Sequence, residues 1–150
     1  MKYVHTNIIT PDWKRLVDFY INVFECELVP PLRNQQGDWL SKGTGVTEAA
    51  LEGAHLRLPG HGEHGPTLEI YTYKNIERHS PVNANAQGLG HLAFEVDDIH
   101  LTVNKIVEHG GSHAGSIVEK AIEGVGMITF VYMRDPDGNL IELQSWDYGD

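Results

Sequence analysis

The stretch Gly88-Leu-Gly-His-Leu-Ala-Phe-Glu-Val-Asp-Asp-Ile99 decides how the chain is read. Alternation over residues 90–96 puts His91, Ala93 and Glu95 on one face of a strand and Leu92, Phe94 and Val96 on the other. The strand reads as buried and runs straight into a helix capped by Asp97-Asp98. That helix carries an apolar stripe of Ile99, Val103, Ile106 and Val107 and closes at Gly110-Gly111.

The same arrangement stands at the other end of the chain. Residues 3–9 alternate as a strand with an early histidine, His5. Thr10-Pro11-Asp12 then reads as a helix start, with Thr10 as the hydroxyl cap and Pro11 at the first helical position. Leu16, Phe19, Tyr20, Val23 and Phe24 follow at helical spacing, and the helix is expected to stop near Glu25–Glu27. Further on, each strand–helix unit has a strand with a glutamate among apolar residues. These are residues 67–73 with Glu69 and residues 139–145 with Glu142.

The segments between are less regular. Leu28-Val29 reads as a short extended piece ended by Pro30-Pro31, and residues 32–47 are loop-like, with Trp39 as the expected anchor. Residues 48–51 and 55–58 read as two short strands joined near Gly53, and residues 59–66 as a turn-rich loop. Residues 74–87 are polar and aperiodic. In the second half, strands are expected around 116–119 and over 126–133, before a strong turn at Arg134-Asp-Pro-Asp-Gly138. The order is β-α-β-β-β twice. The chain is a duplication, with module 1 at about 1–75, a linker at about 76–87 and module 2 at about 88–148.

Composition narrows the function. The 150 residues are 41% hydrophobic and 21% charged, as expected for a globular domain with a real core. The formal net charge of −10 speaks against nucleic acid and anionic membrane as partners but allows a small ligand. No apolar run approaches the roughly 20 residues that span a bilayer, and no signal pattern opens the chain, so a cytoplasmic location is expected. The single cysteine, Cys26, has no partner for a disulfide and reads as a core filler.

The strand faces opposite the apolar ones carry His5, Glu69, His91 and Glu142. If the sheets curve around one cavity, these four side chains point into it. A carboxylate turned inward is costly unless it is paired or metal-bound. Two carboxylates and two neutral imidazoles make a natural site for a divalent cation, of a kind that suits nickel, cobalt, zinc, manganese or iron better than calcium. His61-Gly-Glu-His64 mimics a ligand cluster but sits in a glycine-rich loop, and Asp135-Pro-Asp-Gly138 reads as a turn rather than a calcium loop.

Asp18-Phe-Tyr20, Leu68-Glu-Ile70, Gly90-His-Leu-Ala-Phe-Glu-Val-Asp-Asp98 and Asp135-Pro-Asp-Gly-Asn-Leu-Ile-Glu142 together resemble the vicinal oxygen chelate superfamily. That group holds glyoxalase I, methylmalonyl-CoA epimerase, extradiol dioxygenases and fosfomycin- and bleomycin-resistance proteins. The resemblance covers nearly the whole chain. It implies an α+β fold of two tandem βαβββ modules forming a cup-shaped mixed sheet with helices outside. It also implies one divalent metal ion, ligated by His5, Glu69, His91 and Glu142, and a homodimer in which the site lies within one chain or is shared.

By the same resemblance the chain is expected to be a metal-dependent lyase or isomerase, like lactoylglutathione lyase or the epimerase. It would chelate a small carbonyl or thioester substrate, with Glu142 or Glu69 exchanging a proton next to the carbonyl. An extradiol-type dioxygenase or thiol transferase would leave Glu69 superfluous, and a metal-free sequestering protein would have no use for four ligands. Arg15, Arg33, Lys42 and Arg57 are the candidate cations for an anionic substrate, with Trp39, Tyr71 and Tyr73 as an apolar wall.

Overall fold

The computed structural model describes residues 1–149 and divides between His79 and Ser80 into two units. The first contains β1 (His5–Ile9), α1 (Trp13–Phe24), β2 (Glu27–Gln36), α2 (Asp38–Thr44), β3 (Ala50–Arg57) and β4 (Thr67–Tyr73). Its sheet runs β1-β4-β3-β2, with β1 parallel to β4 and the other pairs antiparallel. The second contains β5 (Leu92–Glu95), α3 (Ile99–Glu108), β6 (Ser112–His113), β7 (Val118–Ile122), β8 (Gly126–Arg134) and β9 (Leu140–Asp147). Its sheet runs β5-β9-β8-β6, with β7 also pairing β8, and β5 is parallel to β9. The α+β class is the one expected, but the order departs from β-α-β-β-β by the inserted α2 in the first unit and by an additional strand in the second.

The helices α1 and α3 each cover one face of the sheet of their own unit. From α1, Leu16, Phe19, Tyr20 and Val23 meet Ala54 and Leu56 of β3 and Leu68 and Ile70 of β4 in a dry core. Burying each of the large side chains stabilises the unit by about 1.5–3 kcal/mol. In the second unit Ile99, Val103 and Ile106 pack toward Val131, Met133, Ile141 and Leu143. Both glutamate strands therefore turn their apolar residues to the helix and leave the glutamates on the other face.

Several local expectations are corrected. Asp12, not Thr10, caps α1: its Oδ1 accepts from the Arg15 N–H at 3.2 Å. Thr10 is fully buried instead, its Oγ1 accepting from the Asp12 N–H and its carbonyl accepting from the Thr72 hydroxyl. Residues 32–47 are not a loop. β2 continues past a register shift between Val29 and Arg33, and α2 follows it. Trp39 is 61% exposed, and Leu40 is the buried residue of α2, clustered with Ala49, Leu51 and Tyr71.

The two short strands near Gly53 are one strand, β3. Gly53 does not break it because the missing side chain is what lets β4 approach: a Cβ there would lie 2.0 Å from the Ile70 carbonyl oxygen. Strand β5 is an edge strand with Ala93 and Glu95 exposed, so it is not the buried strand its sequence suggests. Val107 faces solvent rather than the core.

Candidate functional site

The two glutamates hold the same place in the two sheets. Asn7 of β1 is the register partner of Glu69, and Ala93 of β5 is that of Glu142. In each unit the histidine stands two residues upstream of that partner, on the same side of the strand. His5 Nδ1 lies 3.4 Å from Glu69 Oε1, and His91 Nε2 lies 2.9 Å from Glu142 Oε2. Both carboxylates are largely buried, with 12% and 17% of the side chain exposed, whereas the histidines are more open at 43% and 30%.

The antiparallel neighbour distinguishes the units. Across from Glu69, β3 presents His55; across from Glu142, β8 presents Tyr132. His55 Nε2 approaches Glu69 Oε1 at 3.0 Å and also contacts the Tyr71 hydroxyl. The other ring nitrogen, Nδ1, lies 3.3 Å from Nη2 of Arg33, which can only donate, so Nδ1 is the acceptor and Nε2 carries the proton. Burial holds the His55 imidazole below its ordinary pKa against the pull of Glu69, with the Arg33 charge acting in the same direction as burial. Burial, reinforced by Glu69, pushes the Tyr71 hydroxyl up to about 12. In the second unit the Tyr132 ring lies 4.9 Å from that of His91, and desolvation with Glu142 raises its hydroxyl too.

His55 was legible as a strand residue but not as a site residue. Dividing β3 at Gly53 hides its register with β4, which alone sets it opposite Glu69. Of the four candidate cations, Arg33 reaches this network; Arg57 pairs with Glu27 at 2.8 Å, and Arg15 and Lys42 are exposed on helices. Tyr71 and Tyr73 belong to the small cluster around Leu40 and Leu51. His61 and His64 are exposed in their loop, and Asp135 accepts from Asp137, Asn139 and the Asn139 side chain as a turn residue does. Among the described residues no group of three or more His, Cys, Asp or Glu side chains is gathered about one point as a metal site would require. Each unit presents a histidine–glutamate pair, and in the first His55 stands beside the same glutamate. By donor chemistry, two such pairs match a divalent transition metal, and each glutamate already has an imidazole beside it.

Beside Tyr132, a cavity of about 570 Å³ is lined by Asn83, Asn85, Ser116, Phe130, Arg134 and Leu140, among others. The Arg134 guanidinium there donates to the Val82 and Gly138 carbonyls. None of the described helices is long and apolar enough to cross a membrane.

The family model of the glyoxalase/bleomycin resistance protein/dioxygenase superfamily matches residues 2–143. The chain is 27% identical to a lactoylglutathione lyase of Neisseria meningitidis, over 100% of this chain and 94% of that protein. It is 24% identical to the mitochondrial methylmalonyl-CoA epimerase of Dictyostelium discoideum, over 95% of this chain and 77% of that one. Its fold matches a glyoxalase family protein from Bacillus cereus with a TM-score of 0.76 at 22% identity, covering 97% of this chain and 93% of the other. A glyoxalase family protein from Enterococcus faecalis matches with a TM-score of 0.60 at 22% identity, covering 95% and 96%.

Proposed function

Because the chain belongs to the glyoxalase/bleomycin resistance protein/dioxygenase superfamily, we propose that it is a metal-dependent lyase or isomerase moving a proton next to a carbonyl. The observation that carries this reading is the repeated register: in both units a histidine and a glutamate meet on the sheet face away from the helix. One divalent cation, of nickel, cobalt, zinc, manganese or iron and held by His5, Glu69, His91 and Glu142, would polarise the substrate carbonyl and stabilise the developing oxyanion.

The chain's own groups supply the proton transfer. Among the described residues Glu142 is addressed by His91, whereas Glu69 is addressed by both His5 and His55. The less tethered carboxylate is the one free to swing, so Glu142 takes the proton from the carbon next to the carbonyl. An isomerisation needs the same carboxyl to return the proton to the adjacent carbon, while the proton of the neighbouring hydroxyl passes to the former carbonyl oxygen as the new carbonyl forms. An epimerisation needs delivery from the opposite face, and Glu69 is the carboxyl for that.

The substrate is a small carbonyl compound or a thioester. Arg33 and Arg134 are engaged by His55 and by backbone carbonyls, and Arg57 by Glu27. A homodimer is the expected assembly. The test is metal analysis of protein purified without a histidine tag, combined with assays on the methylglyoxal–glutathione hemithioacetal, methylmalonyl-CoA and catechols. Stoichiometric metal with turnover of either of the first two supports the reading. Absence of metal after incubation with each candidate ion overturns it, and oxygen uptake with a catechol and Fe(II) assigns the chain to the dioxygenases instead.

A further inference from the structure

We propose that His55, oriented by Arg33, is a positioning residue that fixes the Glu69 carboxylate for metal binding; the proposal rests on the metal reading above. Three geometric facts carry it. His55 is the direct register partner of Glu69, so its ring is delivered to the carboxylate by the β3–β4 pairing rather than by a mobile loop. Nε2 lies 3.0 Å from Glu69 Oε1, and Nδ1 faces the Arg33 guanidinium at 3.3 Å. Since guanidinium has no acceptor, the ring is held with its proton on Nε2, and that N–H donates to the carboxylate.

Arg33 itself is placed for the task. It sits just after the register shift in β2 and pairs with Gly53, two residues from His55 on the same face of β3. The Tyr71 hydroxyl closes the arrangement from β4, hydrogen-bonded to His55 and Glu69 and backed by Leu40 and Leu51. The chain thus builds a supporting layer, Arg33 to His55 to Glu69, around one glutamate. At the matching place in the second unit a tyrosine, Tyr132, fills the register position, and Gln144 stands where Tyr71 does. Outer partners that orient a ligating carboxylate reduce the entropy lost when it binds the ion and hold its oxygens in one direction. The duplicated ligands are chemically alike, but their support is not.

Cobalt(II) binding by the full chain tests this. His55→Ala should raise the dissociation constant roughly 10–100-fold, the usual loss on removing such a partner, and should change the visible absorption of the bound ion. His55→Gln, whose amide N–H falls near the place of Nε2, should restore most of both, and Arg33→Gln should fall between. In the metal-free chain, long-range nitrogen–proton spectra should show His55 protonated at Nε2 and bare at Nδ1, with the preference lost in Arg33→Gln. A native-like His55→Ala that binds cobalt(II) as wild type does overturns the proposal, as does a proton found on Nδ1. Loss of all binding in both His55→Ala and His55→Gln also overturns it, since His55 would then be a ligand. If wild type itself fails to bind cobalt(II), the metal reading falls and this proposal with it; binding by wild type with an unaffected His55→Ala removes only the positioning role.

Discussion

His91 Nε2 stands 2.9 Å from Glu142 Oε2, and the Tyr132 ring lies against the same imidazole. This pair lacks the additional histidine contact that Glu69 receives. Glu142→Gln should therefore keep the shape of the side chain and its place beside His91 while removing the proton acceptor. Turnover of a true substrate should drop by about 10²–10⁴-fold, the range for losing a general base, with metal content reduced far less. A variant with full kcat would remove Glu142 from the proton transfer.

The close approach of β4 to β3 depends on Gly53. A methyl group at this position would lie 2.0 Å from the Ile70 carbonyl oxygen and 2.5 Å from the Tyr71 ring. Neither neighbour yields easily: one is backbone, and the other ring carries the hydroxyl bonded to His55. Gly53→Ala should cost at least about 1–3 kcal/mol in urea unfolding, as overpacked sites do. It should weaken metal binding as well, because the register that joins His55 to Glu69 passes through this position. Unchanged stability would mean that β3 and β4 separate without penalty.

The same glycine shows where sequence reasoning stopped. His5, Glu69, His91 and Glu142 are legible as residues of one strand face because side-chain parity on a strand is strict and the residues flanking each glutamate, Leu68 and Ile70 or Ile141 and Leu143, are apolar. Residues 67–73 were bounded correctly because apolar alternation and flanking Pro66 agree. His55 was not legible as a site residue: a glycine inside an alternating run looks like a break until the partner strand is seen to need the space. The helix α2 was hidden for a related reason. Gly43 and Gly45 dilute a pattern of only 7 residues, and its anchor is Leu40 rather than the larger Trp39. The exposure of β5 is not legible in the sequence because an apolar face does not reveal that a strand lies at a sheet edge.

Helix capping separates the roles of Thr10 and Asp12 at the start of α1. Asp12 Oδ1 accepts from the Arg15 N–H, and Asp98 Oδ1 accepts from the Leu101 N–H at 2.9 Å. Asp12→Ala and Asp98→Ala should each cost about 1 kcal/mol by chemical denaturation. Were Thr10 the cap, as the Thr-Pro-Asp order suggests, Asp12→Ala would be near neutral. That result would contradict the observed helix start.

Burial at Cys26 and Tyr71 predicts loss of stability in alkali. The Cys26 thiol, 2% exposed, is pushed from an ordinary value of 9.0 up to about 12. Tyr71 is pushed from 10.0 up to about 12. The unfolded chain releases these protons first, so above pH 9.0 the folded state holds more protons than the unfolded one and stability falls as pH rises toward about 12. Cys26→Ala and Tyr71→Phe should each flatten this fall in urea titrations from pH 8 upward, where about 8 lies below both windows. A slope equal to wild type in both variants would contradict the burial. The same thiol should resist alkylation until the chain unfolds.

Metal removal tests whether the two halves serve one ion. Each unit holds a histidine–glutamate pair, and neither pair alone supplies more than two side-chain ligands, a weak set for a transition metal. If His5, Glu69, His91 and Glu142 share an ion, saturating metal stabilises the folded chain by linkage, about 2.7 kcal/mol when the free ion is a hundredfold above its dissociation constant. Addition of a chelator should then lower the unfolding midpoint and abolish turnover together, with both restored by excess ion. His5→Ala in the first unit and His91→Ala in the second should each erase the metal-dependent part of that shift while leaving the metal-free midpoint nearly unchanged, since both histidines are substantially exposed. A shift that survives either substitution at full size would mean that the two pairs do not act on the same ion.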